Sequence, residues 1–186
     1  MILLLGIGNT GDKYSKNRHN VGFMTIDKLV DQYFTHSNFK KNKNSSFISG
    51  SYHDMPIILA KPNTFVNLSG KAVLELISFY KITLDNIIVL QDDIDSTVGA
   101  LSYKINTSHG GHNGIRNIIQ TIGNGFHKLK IGVGRPDNPN IPVADYVLSN
   151  FTSDEFITID NTINYIVNSI DLIINKNFQQ LINNYK

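Results

Sequence analysis

Ile87-Ile88-Val89-Leu90-Gln91-Asp92-Asp93 is the stretch on which the architecture turns. Its first four residues are apolar without alternation and mostly β-branched, the composition of a strand buried on both faces. Such a strand belongs at the centre of an α/β sheet. Its polar end, Gln91-Asp92-Asp93, then emerges beyond the carboxyl edge, where doubly wound sheets gather their functional groups.

Upstream, residues 1–7 form a second apolar run, stopped by Gly8, that reads as a buried first strand. Val21, Phe23, Met24, Ile26, Leu29, Val30 and Tyr33 follow at helical spacing within residues 19–34. Runs 47–52 and 56–59 flank His53-Asp54 as a hairpin, the Lys/Asn/Ser-rich residues 39–46 read as a surface loop, and residues 68–80 carry the apolar period of a helix. Downstream, residues 100–105 and 129–133 read as strands, 108–114 as a glycine-rich loop and 115–122 as a short helix. From Ser153, capped at Thr152 or Ser153, Phe156, Ile159, Ile163, Ile166, Ile170 and Ile173 predict one long C-terminal helix. Strands interleaved with helices predict an α/β fold: a single three-layer domain over residues 1–186, with a mixed, largely parallel twisted sheet and helices on both faces. No repeat or linker interrupts it.

The composition narrows the chemistry. Without cysteine, the chain has no disulfide, thiolate metal site or cysteine nucleophile. A net charge of +2 makes any nucleic-acid contact a local patch rather than a global field. No apolar run approaches the roughly 20 residues a membrane helix needs, and the apolar start lacks the flanks of a secretory signal.

His19 is the leading candidate base because imidazole titrates near neutrality; a helix-start histidine bonded to backbone is the structural alternative, and His109 and His112 are rivals. Asp92 leaves an apolar strand and needs a donor such as an imidazole N–H, with Asp93 and Asp95 competing for that place. The three acids match no calcium loop, and the histidines no zinc pattern. Gly110-Gly111-His112-Asn113-Gly114 can offer backbone donors to a developing oxyanion, or can be a turn with an asparagine cap. No Gly-x-Ser-x-Gly elbow occurs, which leaves water as the nucleophile, and Gly6-Ile7-Gly8-Asn9-Thr10-Gly11 is only half of a dinucleotide fingerprint.

Taken in order, Gly6-Ile7-Gly8-Asn9-Thr10-Gly11-Asp12-Lys13-Tyr14, Arg18-His19-Asn20-Val21-Gly22, Lys61-Pro62-Asn63-Thr64-Phe65-Val66-Asn67-Leu68-Ser69-Gly70, Asp92-Asp93-Ile94-Asp95 and Gly110-Gly111-His112-Asn113-Gly114 make the chain resemble bacterial peptidyl-tRNA hydrolase along almost its whole length. The resemblance implies a cytoplasmic, monomeric, cofactor-free and metal-free esterase that frees tRNA from stranded peptides. On matching positions it implies His19 as general base and Asp92 as its orienting partner. Asn9 and Asn67 would hold the peptide and the 3′ end, Asn113 would place water or stabilise the oxyanion, and Tyr14 would line the cleft. Lys104 and Lys130 would face a tRNA phosphate, while Arg116, Lys128 and Arg135 read as solvated charges. A non-catalytic RNA-binding module on the same fold is the rival, disfavoured because the whole set is present. Val66 in the substrate-binding segment, where methionine is usual, departs from the family pattern. So do Ser96-Thr97, the approach Asn106-Thr107-Ser108-His109, and Ser102, all bearing on cleft shape and RNA contact.

Overall fold

Ile87–Asp93 forms strand β5, buried at every residue because parallel neighbours flank it and helices cover both its faces. The structure, a computed structural model, describes residues 1–185. Its sheet joins β1 (Ile2–Gly6), β2 (Lys40–Lys41), β3 (Ser45–Tyr52), β4 (Met55–Pro62), β5, β6 (Leu101–Ile105) and β7 (His127–Gly132) in the order β2-β3-β4-β1-β5-β7-β6. The pairings β1·β4, β1·β5 and β5·β7 are parallel, and β2·β3, β3·β4 and β6·β7 are antiparallel. Parallel pairing thus holds the centre and antiparallel pairing the edges. The predicted hairpin turns at His53 and Asp54, both at positive φ. The stretch expected as a plain surface loop instead contributes β2, which lengthens the sheet at that edge.

Alternation along the strands sorts their side chains into two layers of core. Leu3, Leu5, Ile58, Ile87 and Val89 pack under α2 (Ser69–Tyr80) and α3 (Asn113–Ile122). Leu4, Ile57, Leu59, Ile88 and Leu90 pack against α1 (Val21–Tyr33) and the C-terminal helices. The expected α/β arrangement with helices on both faces is the one observed, but the sheet is not largely parallel as expected: three of its six pairings are antiparallel, because both edges of the parallel centre are extended by antiparallel strands. Among the described residues, no helix is long and apolar enough to cross a membrane.

The C-terminal segment differs from the single helix its periodicity predicts. After the five-residue α4 (Val143–Val147), which the sequence reading had not resolved, come α5 (Ser153–Asn168), α6 (Ile170–Ile174) and α7 (Phe178–Asn184). Thr152 caps α5 in a reciprocal box with Glu155. Ser169 leaves helical geometry and Lys176 adopts the left-handed conformation. These two bends fold the chain back over β6, where Phe178 stacks on Tyr103 at 4.3 Å and Leu181 is buried. A straight continuation would leave both apolar side chains beyond the sheet. Periodicity reports which face is apolar, and a change of axis between turns leaves no trace in it.

Gly22 decides how α1 meets the sheet. A Cβ there would lie 2.5 Å from the Leu90 carbonyl oxygen and 2.6 Å from the Ile7 nitrogen. The first turn of α1 therefore rests on backbone, which brings the residues just before it over the end of β5. Gly22→Ala is expected to destabilise the fold by about 1–3 kcal/mol through overpacking, read as a lower urea midpoint at unchanged slope.

Candidate active site

The carboxyl ends of β1, β4 and β5 open into a cleft of about 630 Å³. Five segments supply its polar wall: Asn9 after β1, His19 in the 3-10 turn before α1, Asn67 in the turn after β4, Asp92 at the end of β5, and Asn113 at the first turn of α3. Phe65, Val143, Ala144, Val147 and Leu148 supply an apolar wall, most of it from α4.

His19 Nδ1 lies 2.8 Å from Asp92 Oδ1. The same oxygen lies 3.0 Å from His112 Nε2. The other nitrogen of His112, Nδ1, caps α3 by accepting the backbone N–H groups of Gly114 and Ile115 at 3.1 and 3.3 Å. An acceptor nitrogen carries no proton, so neutral His112 is protonated on Nε2 and donates to Asp92. The carboxylate can only accept, so His19 donates through Nδ1–H and keeps the Nε2 lone pair, which no group among the described residues engages. Burial opposes charge on His19, but the Asp92 charge and hydrogen bond outweigh it and raise the imidazole above its ordinary value. Burial likewise pushes the Asp92 carboxyl up, and the two imidazoles more than reverse this, holding it far below the usual carboxylate range. Asp92 is therefore an anion at neutral pH.

His19, Asp92 and His112 bring their ligand-type atoms within 4.8 Å of one another, a grouping that could hold a metal. The donor set does not suit one. A cation at His112 Nε2 would displace the proton there, and Nδ1 faces two N–H donors and cannot take it up. The cluster fits protons between its members rather than a shared cation.

The rival acids sort by their partners. Asp93 also reaches the cleft, but its carboxylate is taken by Lys130, whose Nζ lies 3.0 Å away, and by the Ser96 hydroxyl, which donates to it. Asp95 pairs with Arg135 at 2.5 Å. His109 lines the cleft but uses its Nδ1 to accept the Gly111 N–H. The cap of α3 is His112 and not the asparagine of the alternative turn reading, which leaves the Asn113 side chain on the cleft wall.

Asn9 is built into the wall from both sides. Its backbone N–H donates to Asn20 Oδ1 at 2.8 Å, and its carbonyl accepts from Asn20 Nδ2 at 2.9 Å. Its own Oδ1 accepts the Val66 N–H at 3.1 Å, which leaves Nδ2 as the available donor. Val66 contributes that N–H and a γ-methyl group packed against Gly114, so the turn after β4, the loop after β1 and the start of α3 brace one another. Tyr14 sits in the 3-10 turn Asp12–Tyr14 with Lys13 Nζ 4.7 Å from its ring centre, outside the residues that line the cleft.

The basic residues divide three ways. Lys130 is on the cleft wall, and Lys104 is exposed on edge strand β6. Arg116 is exposed, as expected, whereas Arg135, though exposed, reaches the cleft rim and is paired with Asp95. Lys128 corrects the expectation of a solvated charge: it is only 2% exposed, and Nζ donates to the Thr107 carbonyl at 2.5 Å and Asn124 Oδ1 at 2.7 Å. Burial and the neighbouring Lys130 charge lower its pKa. It ties down the approach to the glycine loop.

Arg18 was quoted within a motif without a role. It is 5% exposed and donates to Ser149 Oγ, the Asn150 carbonyl and Glu155 Oε2, the last at 2.6 Å. It also stacks on Tyr146. The residue before His19 thus ties the base-bearing turn to the end of α4 and the cap of α5. An arginine beside a candidate base was the available signal, but its partners lie more than 130 positions away.

The family model for peptidyl-tRNA hydrolase matches residues 3–186. The chain is 40% identical over 183 residues to the peptidyl-tRNA hydrolase of Rickettsia canadensis, covering 98% of each chain. It is 38% identical over 180 residues to that of Rickettsia bellii, covering 97% of each. The crystal structure of the Acinetobacter baumannii peptidyl-tRNA hydrolase superposes with a TM-score of 0.90 at 31% identity, over 98% of this chain and 93% of that one. With the family model spanning nearly every residue and the same fold in a solved relative, the chain belongs to the peptidyl-tRNA hydrolase family.

Proposed function

We propose that this chain hydrolyses the ester between the peptide and the 3′ ribose of peptidyl-tRNA, with His19 as general base on water. The observation that carries the reading is the 2.8 Å contact of His19 Nδ1 with Asp92 Oδ1, which leaves Nε2 unengaged at the cleft. Nε2 takes a proton as the water oxygen adds to the ester carbonyl carbon. The tetrahedral intermediate then expels the 3′ oxygen, which recovers that proton from Nε2. Asp92 stabilises the transient imidazolium. No serine or threonine lines the cleft among the described residues, which favours water as nucleophile.

Asn113, at the N-terminal turn of α3, donates to the developing oxyanion or to the attacking water. Asn9 Nδ2 and the Asn67 amide hold the peptide backbone and the 3′ end, and Val66 keeps Asn9 in place. Lys130 on the cleft wall and Lys104 on the exposed edge strand β6 meet tRNA phosphate. The enzyme works as a one-domain cytoplasmic monomer without metal or cofactor.

The direct test is release of tRNA from N-acetylaminoacyl-tRNA by the purified chain, with and without chelator. Release in both supports the reading, and no release by folded protein ends it. The pH profile is a second check. Only neutral His19 accepts a proton, so kcat/KM falls as pH drops through its pKa. Because that pKa is raised, the acid limb is expected above pH 6.5.

A further inference from the structure

A second cavity, of about 270 Å³, opens on the other side of Asn9 from the catalytic cleft. Asn9 lines both, so the two spaces meet at one side chain whose Nδ2 is free to donate. Ser15 on the loop after β1, Phe23, Met24 and Asp27 of α1, and Lys61 at the end of β4 form the rest of its working surface. It therefore stands over the β1/β4 half of the sheet. Lys130 and Lys104, by contrast, belong to β7 and β6, two and three strands away from β1 on the opposite side.

That placement orders a substrate with one polyanionic end. The nucleic acid is attracted to the β6/β7 side, the ester sits at His19, and the chain leading away from the ester carbonyl runs toward β1 and β4 across Asn9. We propose that this second cavity is a peptide subsite, receiving the residues that precede the esterified one; the inference rests on the hydrolase reading above.

The chemistry of the walls fits a polypeptide. Phe23 and Met24 offer an apolar floor. Lys61 is held by Asp27 and over the rings of Phe39 and Phe23, with Nζ at 4.6 and 5.5 Å from their centres, which fixes an ammonium where backbone carbonyls can accept from it. The Asp27 carboxylate balances that charge locally, and Asp12 on the rim adds a second carboxylate, so the pocket accepts neutral and basic side chains more readily than acidic ones. Its volume lies just under the range typical of whole ligand sites, about 300–1,000 Å³, as suits an extension of a larger cleft.

The test compares N-acetyl-alanyl-, N-acetyl-dialanyl- and N-acetyl-trialanyl-tRNA on the wild-type chain and on Ser15→Trp, whose indole would fill the cavity from its exposed rim. Wild-type kcat/KM is expected to rise about five- to tenfold from the first substrate to the third, the scale of one added hydrogen bond with some apolar burial. Ser15→Trp is expected to cleave the one-residue substrate normally, which shows that it is folded, and to lose the gain. Lys61→Met is expected to lose part of it. A gain that survives in Ser15→Trp, or equal rates for all three substrates on the wild type, overturns the subsite while leaving the hydrolase intact. No cleavage of any of them by the wild type overturns both.

Discussion

His19→Ala is expected to lower kcat for N-acetylaminoacyl-tRNA about 10²–10⁴-fold, the usual contribution of a positioned general base, with little change in the affinity for substrate. The reasoning is local. Nε2 of His19 is the one imidazole nitrogen in the cluster that is neither donating nor accepting: His112 uses both of its nitrogens, one on Asp92 and one on the start of α3. His112 therefore cannot take over as base without uncapping a helix. Single-turnover rates at saturating enzyme, together with a binding measurement on uncleaved substrate, check the split between rate and affinity. Full activity in His19→Ala would remove this residue from the mechanism.

Asp92→Asn is expected to cost about 10²–10⁴-fold in kcat, with a signature that distinguishes it from loss of the base. Both imidazoles address the same oxygen, Oδ1, and an asparagine oxygen turned to that position still accepts from both. Geometry is largely kept and the charge is lost. Without the anion, the charge that raises His19 disappears and only the hydrogen bond to the asparagine oxygen is left against burial, so its pKa falls. The small residual activity is therefore expected to show an acid limb moved to lower pH than in the wild type. A residual profile unchanged in position would mean that Asp92 does not act through His19.

The sequence alone carried the architecture far because its strongest signals are local. The unbroken apolar run of β5 demands cover on both faces, and the helical periods before and after it supply that cover. The hairpin at His53-Asp54 and the cap at Thr152 are written in a few adjacent residues. Where the reading fell short, the cause was a change of direction or a distant partner. The bends at Ser169 and Lys176 preserve the apolar period while redirecting the axis, so one predicted helix became three. Lys128 looks like its neighbour Lys130 in sequence. It is buried because the loop around Thr107 and the turn at Asn124 close over it.

The same division holds at the site. The sequence by itself determined the α/β class, the loops that would converge at the sheet's carboxyl edge, and a short list of groups able to do chemistry there. Strand alternation also separates Asp92 from Asp93, since adjacent residues must face opposite sides. Composition and spacing left open which of those sides meets an imidazole, and the family resemblance pointed to Asp92; the physical reason is the crossover that brings residue 19 over residue 92, 73 positions away, with Gly22 allowing the close approach. Tertiary structure alone made His112 a second donor to Asp92 rather than a rival base, and set Arg18 and α4 behind the cleft wall. The physical reason is that hydrophobic period and capping act within one or two turns of chain, whereas a proton's position depends on every group that surrounds it.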